Sequence, residues 1–344
     1  MICRIFGDNQ IGFMKSNLTP KGEKAIELID QFPTAYTRTL ARILYKKYPT
    51  LYIDYEDARK VIRSHRGECG SPRTKRGKAD QKLKHEVELP KSWTKKKEFF
   101  KLPTACKLVG IISDVQAPFH DVEALETTVK YLQERGIDCL LCNGDLIDFY
   151  GISSFEKDQT KRDFAQERVT CIDVLTWIKE QFPDIPVYYN LDSNHENRYE
   201  RYMQKKAPEI FSTEMFMVED LLMLHEIGII PIRGYDHIRI GKLPIVHGHT
   251  VFRGQTSPVS PARTVYMKMK HSCVASHCHK ISQYTWVDMK GEVHSTWTTG
   301  CLMNLNVDYN PHGNDYVHGF AVVSVDKNGG FKFENKMIIN GTVV

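Results

Sequence analysis

Five short clusters in the 344-residue chain set carboxylate, amide and imidazole side chains side by side. In chain order they are Ser113-Asp114-Val115-Gln116, Asn143-Gly144-Asp145-Leu146-Ile147-Asp148, Asn194-His195-Glu196, His247-Gly248-His249 and Ser276-His277-Cys278-His279. Oxygen and imidazole donors suit Mn, Fe or Zn. A single Asp or His at a strand end is more often a cap, a turn or a packed core residue. Five in one ordered series, each at or just after an apolar run, favour a dinuclear metal hydrolase. The chain has no GxxxxGK phosphate loop and no internal repeat.

Elements that must position these clusters are legible around them. The runs LVGIISDV, IDCLLCNGD and IPVYYNLDSNHE read as strands, with helices predicted over residues 121–135 and 161–181. Alternating strand and helix implies an α/β body with mainly parallel strands, which place their sites at the carboxyl ends. The later half holds shorter strands, ending in a hairpin across residues 327–330. A second sheet packed on the first would absorb them. Cys139 and Cys142 have redox or zinc spacing, but on a buried strand they would face opposite sides of the sheet, so packing is the better reading.

Charge divides the chain. Residues 1–107 carry 24 Lys+Arg against 12 Asp+Glu, and the remainder 23 against 30. A basic front attracts phosphate backbones. Three short helices are predicted there, over 21–31, over 38–48 and from Asp54, a plausible N-cap. The third carries Arg59, Lys60, Arg63 and Arg66 on its outer side. A basic stretch without periodicity follows, including Arg73, Lys75 and Arg76. These seven are the candidate nucleic-acid contacts. The expected domains are a small helical, helix-turn-helix-like lobe (1–66), a basic linker (67–104) and the α/β body (105–344).

Composition narrows the class further. Hydrophobic residues at 41% and charged residues at 26% exclude disorder throughout, a fibrous repeat and a small disulfide scaffold. No run approaches the roughly 20 apolar residues of a membrane span, so no membrane partner is expected. The first residues do not read as a signal peptide. Nine scattered cysteines favour a reducing, cytoplasmic setting.

The motif order resembles the calcineurin-like metallophosphoesterase superfamily over about residues 107–301. That resemblance implies a two-layer β-sandwich flanked by helices, with two divalent metal ions at the strand ends. It assigns Asp114 and His279 to the first metal, Asn194, His247 and His277 to the second, and Asp145 as the bridge between them. His195 takes the position of the catalytic histidine, and Asp148 orients its neighbours. A competing frame, Gly248-His249-Thr250, leaves Val251 where the second histidine belongs; reading the pair at His277 and His279 restores both imidazoles. His249 then becomes a pocket residue beside the substrate phosphate.

Gln116 stands where the family usually has a histidine, and Ser193 and Ser276 stand where it has glycine. An amide is a weaker donor than imidazole, which predicts a labile first site and Mn as the favoured metal, ahead of Zn, Fe, Mg or Ni. Local composition resembles that of phage and bacterial members. The basic front selects a phosphodiesterase or nuclease acting on DNA or a nucleotide. The alternatives are a phosphomonoesterase of protein phosphatase type, and a nucleic-acid-binding or assembly protein with a degenerate site.

Overall fold

The computed structural model describes residues 18–69, 90–94, 98–154, 158, 160, 163–211, 213–254, 258–306 and 313–344. The chain forms two compact units, residues 1–93 and 94–344. Arg73, Lys75 and Arg76 lie outside the described residues. No helix among the described residues is long and apolar enough to cross a membrane.

The first unit holds three helices, α1 (Pro20–Gln31), α2 (Thr37–Lys47) and α3 (Tyr55–Arg66). Local chemistry sets their ends. Thr19 caps α1 and Pro20 opens it. Asp54 Oδ1 accepts from the Asp57 amide at 2.7 Å to start α3, and Gly67 at φ 69° ends it. Leu28, Ile29, Leu40, Leu44, Tyr52 and Ile62 close a core between the helices. Arg66 corrects the expected outer face: it is 1% exposed, and its guanidinium donates to Thr37 Oγ1 at 3.1 Å and to the Pro33 carbonyl at 3.2 Å. It ties α3 to the turn before α2, because Arg66 continues the buried stripe that Ala58 and Ile62 form at four-residue spacing, next to the face of Arg59 and Arg63. Arg59 pairs with Glu56 at 2.9 Å, Arg63 donates to the Glu68 carbonyl at 3.3 Å, and Lys60 is exposed.

The second unit begins with β1 (Phe100–Lys101), inside the stretch read as linker. There follow β2 (Leu108–Ile112), α4 (Val122–Arg135), β3 (Cys139–Cys142), α5 (Phe164–Gln181), β4 (Val187–Asn190) and α6 (Glu196–Lys206). Three one-turn helices, α7 (Pro208–Phe211), α8 (Val218–Leu221) and α9 (Leu224–Ile227), lead to β5 (Ile229–Ile232), β6 (Ile238–Ile240) and β7 (Leu243–Val246). The chain continues through α10 (Pro261–Met269), β8 (Cys273–Ala275), β9 (Ser282–Val287), β10 (Val293–Thr298), β11 (Gly319–Val325), β12 (Phe331–Ile339) and β13 (Thr342–Val343).

One sheet runs β13-β12-β11-β2-β3-β4-β5 and the other β1-β6-β7-β8-β10-β9. The later strands therefore do not all enter the second sheet. β5 extends the first sheet parallel to β4, and β11 pairs antiparallel with β2, Ala321 opposite Ile111. The reason lies in β11 itself. Its residues Gly319–Val323 are all buried, so both faces need cover and the strand sits inside a sheet. Ile111, Leu141 and Tyr188 from the first sheet pack against Ile240, Ile245 and Val274 from the second. Leu140, Cys142, Val187 and Tyr189 face the opposite way, onto α4 and α5. Cys139 points into the inter-sheet core and Cys142 away from it, as alternation requires. Burial pushes the Cys142 thiol up to about 12.

Glu167 on α5 is buried, and its carboxylate accepts from the amides of Tyr150 at 2.6 Å and Gly151 at 3.3 Å. It pins the turn that follows Asp148. Burial pushes its pKa up to about 7, partly offset by those two amides. The folded value exceeds the unfolded one, so the associated stability is full below about pH 4.3 and is lost as pH rises towards 7. Across that window the loss is on the order of 3 kcal/mol. Glu167→Gln should flatten the fall in Tm between pH 5 and 7, measured by calorimetry at matched ionic strength; an unaltered slope would place the titration elsewhere.

Candidate metal centre

Each cluster leaves the carboxyl end of a strand: Asp114 and Gln116 after β2, Asp145 after β3, Asn194 and His195 after β4, His247 after β7, and His277 and His279 after β8. The loops after β2 and β3 stay zipped together. The Asp114 amide donates to the Gly144 carbonyl at 3.1 Å and the Gln116 amide to the Asp145 carbonyl at 3.0 Å. Asn143 stitches the two sheets. Its Nδ2 donates to the Val246 carbonyl at 2.9 Å and Ser276 Oγ at 3.0 Å, and its own carbonyl accepts from His247 Nδ1 at 2.8 Å. That last bond fixes the His247 tautomer and leaves Nε2 facing the cleft.

Backbone conformation aims the candidate ligands. Asp114, Gln116, Asp145, His277 and His279 all have φ between 50° and 71°, a region costly for side-chain-bearing residues. Ser193 and Ser276, which stand where glycine is usual in the resembled family, are not among the positive-φ residues. Instead their hydroxyls join the network: Ser193 Oγ donates to Glu196 and Ser276 Oγ accepts from Thr299 at 2.9 Å.

Two donor groups meet at the bottom of the cleft. On one side His279 Nε2 lies 3.1 Å from Asp114 Oδ1 and 3.2 Å from the Gln116 amide nitrogen. On the other, His247 Nε2 lies 3.0 Å from Asn194 Oδ1 and 3.1 Å from Asp145 Oδ2, and His277 Nδ1 is 4.0 Å from the same oxygen. Asp145, His247 and His277 place ligand atoms within 4.8 Å of one another. Gln116 Oε1, Asp145 Oδ2 and His279 Nδ1 are buried without a hydrogen-bond partner. Unpartnered buried acceptors among carboxylates and imidazoles fit divalent cations. Burial works to raise the carboxyl groups of Asp114 and Asp145, but His279 beside the first and His195 and His247 beside the second more than offset it, so both stay below their ordinary range. Burial opposes a charge on His247, yet Asp145 drives its pKa up to about 10.

His195 is 8% exposed. Its Nδ1–H donates to the Asp148 carbonyl at 2.8 Å, and its Nε2 is 3.6 Å from Asp145 Oδ2. Burial lowers its pKa, and so does Arg198, against Asp145 and Asp148. With Nδ1–H bound to the Asp148 carbonyl, the ring leaves Nε2 facing Asp145. Asp148 orients it through the backbone carbonyl, while its carboxylate accepts from Arg198 at 3.1 Å. His249 lies beside the group, its ring 5.8 Å from that of His247. Burial and the charge on His247 push its pKa down to about 4.

Three contributors went unassigned in the sequence. Glu196 is fully buried and accepts from the amides of Asp145 at 3.2 Å and Leu146 at 3.1 Å, and from the hydroxyls of Ser193 and Tyr189. Burial and Asp145 push its pKa up to about 8. It holds the Asp145 loop in place. Arg198 and Asn143 are the others. The Asn-His-Glu run was the available signal for Glu196; nothing local marks Asn143 or Arg198.

Two packed sheets with helices on their outer faces carry this ordered series of carboxylate, amide and imidazole side chains at the strand ends. No protein-family model matches the chain. It is 27% identical over 232 residues to the Gene 54 protein of Mycobacterium phage L5, covering 64% of this chain and 89% of that one. The Gene 54 protein of Mycobacterium phage D29 is 26% identical over 239 residues, covering 64% and 90%. Among solved structures, Vacuolar Protein Sorting 29 from Cryptosporidium parvum is 18% identical, with TM-score 0.35, over 69% of this chain and 94% of that one. Yfce, a phosphoesterase from E. coli, is 11% identical, with TM-score 0.30, over 66% and 98%.

Gly144 has φ 93°, and a Cβ there would lie 2.6 Å from Ser193 Cβ and 2.8 Å from His247 Nδ1. Gly144→Ala should cost about 2 kcal/mol or more in denaturant unfolding and lower metal uptake. Gln116→His should tighten Mn binding by roughly tenfold in calorimetric titration; unchanged affinity would remove Gln116 from the candidate ligands.

Proposed function

We propose that the protein is a dinuclear metal-dependent phosphoesterase that cleaves phosphodiester bonds in DNA or a nucleotide. The observation that carries this reading is the meeting of two donor groups at Asp145, with His195 Nε2 beside the same carboxylate. Asp114, Gln116 and His279 would hold one cation, and Asn194, His247 and His277 the other, with Asp145 shared. Divalent cations held there supply Lewis acidity that polarises a phosphoryl oxygen and lowers the pKa of water.

The remaining work falls to the chain. Asp148 and Arg198 fix the His195 ring, so that Nε2 is presented for proton transfer on the cleft side. His249, neutral at physiological pH, offers a hydrogen bond to a phosphoryl oxygen without competing for cations. Glu196 keeps Asp145 from turning away. In the first unit, Arg59, Lys60 and Arg63 supply phosphate-backbone contacts. α2 adds Arg38, Arg42, Lys46 and Lys47, all exposed, and carries no acidic residue.

Hydrolysis of bis-(p-nitrophenyl) phosphate by metal-stripped protein, restored with Mn, tests the reading. His195→Asn should lower turnover by a factor of 10² or more with metal content retained. Cleavage of an aryl phosphate monoester alone would instead select the phosphomonoesterase reading. Inactivity towards both esters with metals bound would leave a binding protein. Replacing Arg59, Lys60 and Arg63 together by Gln should weaken DNA binding and reduce the salt slope by about three; an unchanged slope would eliminate the tether.

A further inference from the structure

The carboxyl ends of β4, β5 and β7 enclose a cavity of about 240 Å³ beside the candidate metal centre, and His247 stands in the wall that the two share. Its Nε2 meets Asn194 Oδ1 at 3.0 Å and Asp145 Oδ2 at 3.1 Å, while the segment from His247 to His249 lines the cavity. A group attached to a phosphate at that centre therefore has a space to enter. The floor of the space is apolar. Ile232, Ile238 and Ile245 line it, each 2% exposed or less.

The rim is polar, and part of it is already committed. Asn190 Nδ2 donates to Asn143 Oδ1 at 3.0 Å, and Asn190 Oδ1 accepts from the Asp192 amide at 3.1 Å. Asp192 Oδ2 accepts from the amides of Gly234 at 2.7 Å and Tyr235 at 3.2 Å, which fixes the loop after β5. Other groups are not committed. Among the described residues, Asp192 Oδ1 and the half-buried Asn197 side chain on α6 have no hydrogen-bond partner. His249 Nδ1 is buried without one. Charge then decides what the space takes. Asp192 and Asp236 bring two carboxylates to it, and no Lys or Arg lines it among the described residues. A second phosphate would be repelled there. A neutral group with a flat apolar face and hydrogen-bonding edges matches floor and rim together. The volume falls below the roughly 300–1,000 Å³ of sites for drug-sized ligands, which suits one nucleoside rather than two.

We infer that this cavity is a nucleoside subsite. The base lies on the three isoleucines, and the Asn197 amide bonds its polar edge. Asp192 Oδ1 accepts from an N–H or a hydroxyl of the same nucleoside. His249 stands at the mouth, next to the phosphoryl oxygen. The substrate class this implies is a phosphate ester with a nucleoside on one side and a single phosphate at the metals. The inference rests on the phosphoesterase reading for where that phosphate sits, but binding tests it without turnover.

The experiment uses Mn-loaded full-length protein and titrates four ligands: orthophosphate, glycerol phosphate, and the 3′- and 5′-monophosphates of deoxycytidine. Tm and Mn content are measured alongside. One of the two nucleotides should bind roughly tenfold or more tighter than glycerol phosphate. Asn197→Leu, which removes the hydrogen-bonding edge, and Asn197→Trp, which fills the space, should each collapse that preference to less than threefold with Mn content retained. Nucleotides that bind no tighter than glycerol phosphate overturn the subsite, and so does a failure of all four ligands to bind. A preference that survives in Asn197→Trp at wild-type Tm places the nucleoside elsewhere, and one that survives in Asn197→Leu removes Asn197 as its reader. Because these are equilibrium affinities, inactive protein that keeps the nucleotide preference refutes the hydrolase reading and retains the subsite.

Discussion

Two carboxylates buried where the sheets meet, Asp114 and Asp145, set the terms for everything around them. A buried charge is tolerated only when it is paired and hydrogen-bonded. Asp145 receives the His195 amide at 3.1 Å on one oxygen and faces His247, His195 and His277 with the other. Asp114 accepts from the His277 amide at 3.2 Å and meets His279. The imidazoles, the strained loops and the Asn143 stitch all follow from holding these two anions a short distance apart. The same demand makes the place attractive to cations.

The cost of that arrangement is spread over backbone conformation. Left-handed dihedrals at five of the ligand positions are maintained because neighbours overdetermine them. Zipped amides between the first two loops, Glu196 under the Asp145 turn and Gly144 against His247 each remove one way for the loops to relax. Rigidity is placed under the candidate ligands, on strand ends.

Much of this was legible in the residues. Strand-end clusters mark the candidate ligands because carboxylate, amide and imidazole at the close of an apolar run have few other uses in series. The alternating faces of Cys139 and Cys142 follow from the pleat. Other features depend on contacts no local pattern encodes. Arg66 looks like surface charge until the third helix packs, and then only its buried bonds to Thr37 and Pro33 explain it. β11 reads as one more late strand, whereas its buried faces place it beside β2. Ser193 and Ser276 look like strained substitutes for glycine, and the structure uses them as hydroxyl partners instead.

The position of β11 has a temporal meaning. Residues 319–325 pair with residues 108–112, so the first sheet stays split until chain made some two hundred residues later has folded back into it. Contacts of such sequence separation form slowly, and Leu302, next to that return, already donates its amide to the Asp114 carbonyl at 3.1 Å. A nascent chain that has every ligand through His279 therefore still lacks the strand that steadies the first of them. Topology alone thus ties the Asp114 loop to chain that is made late.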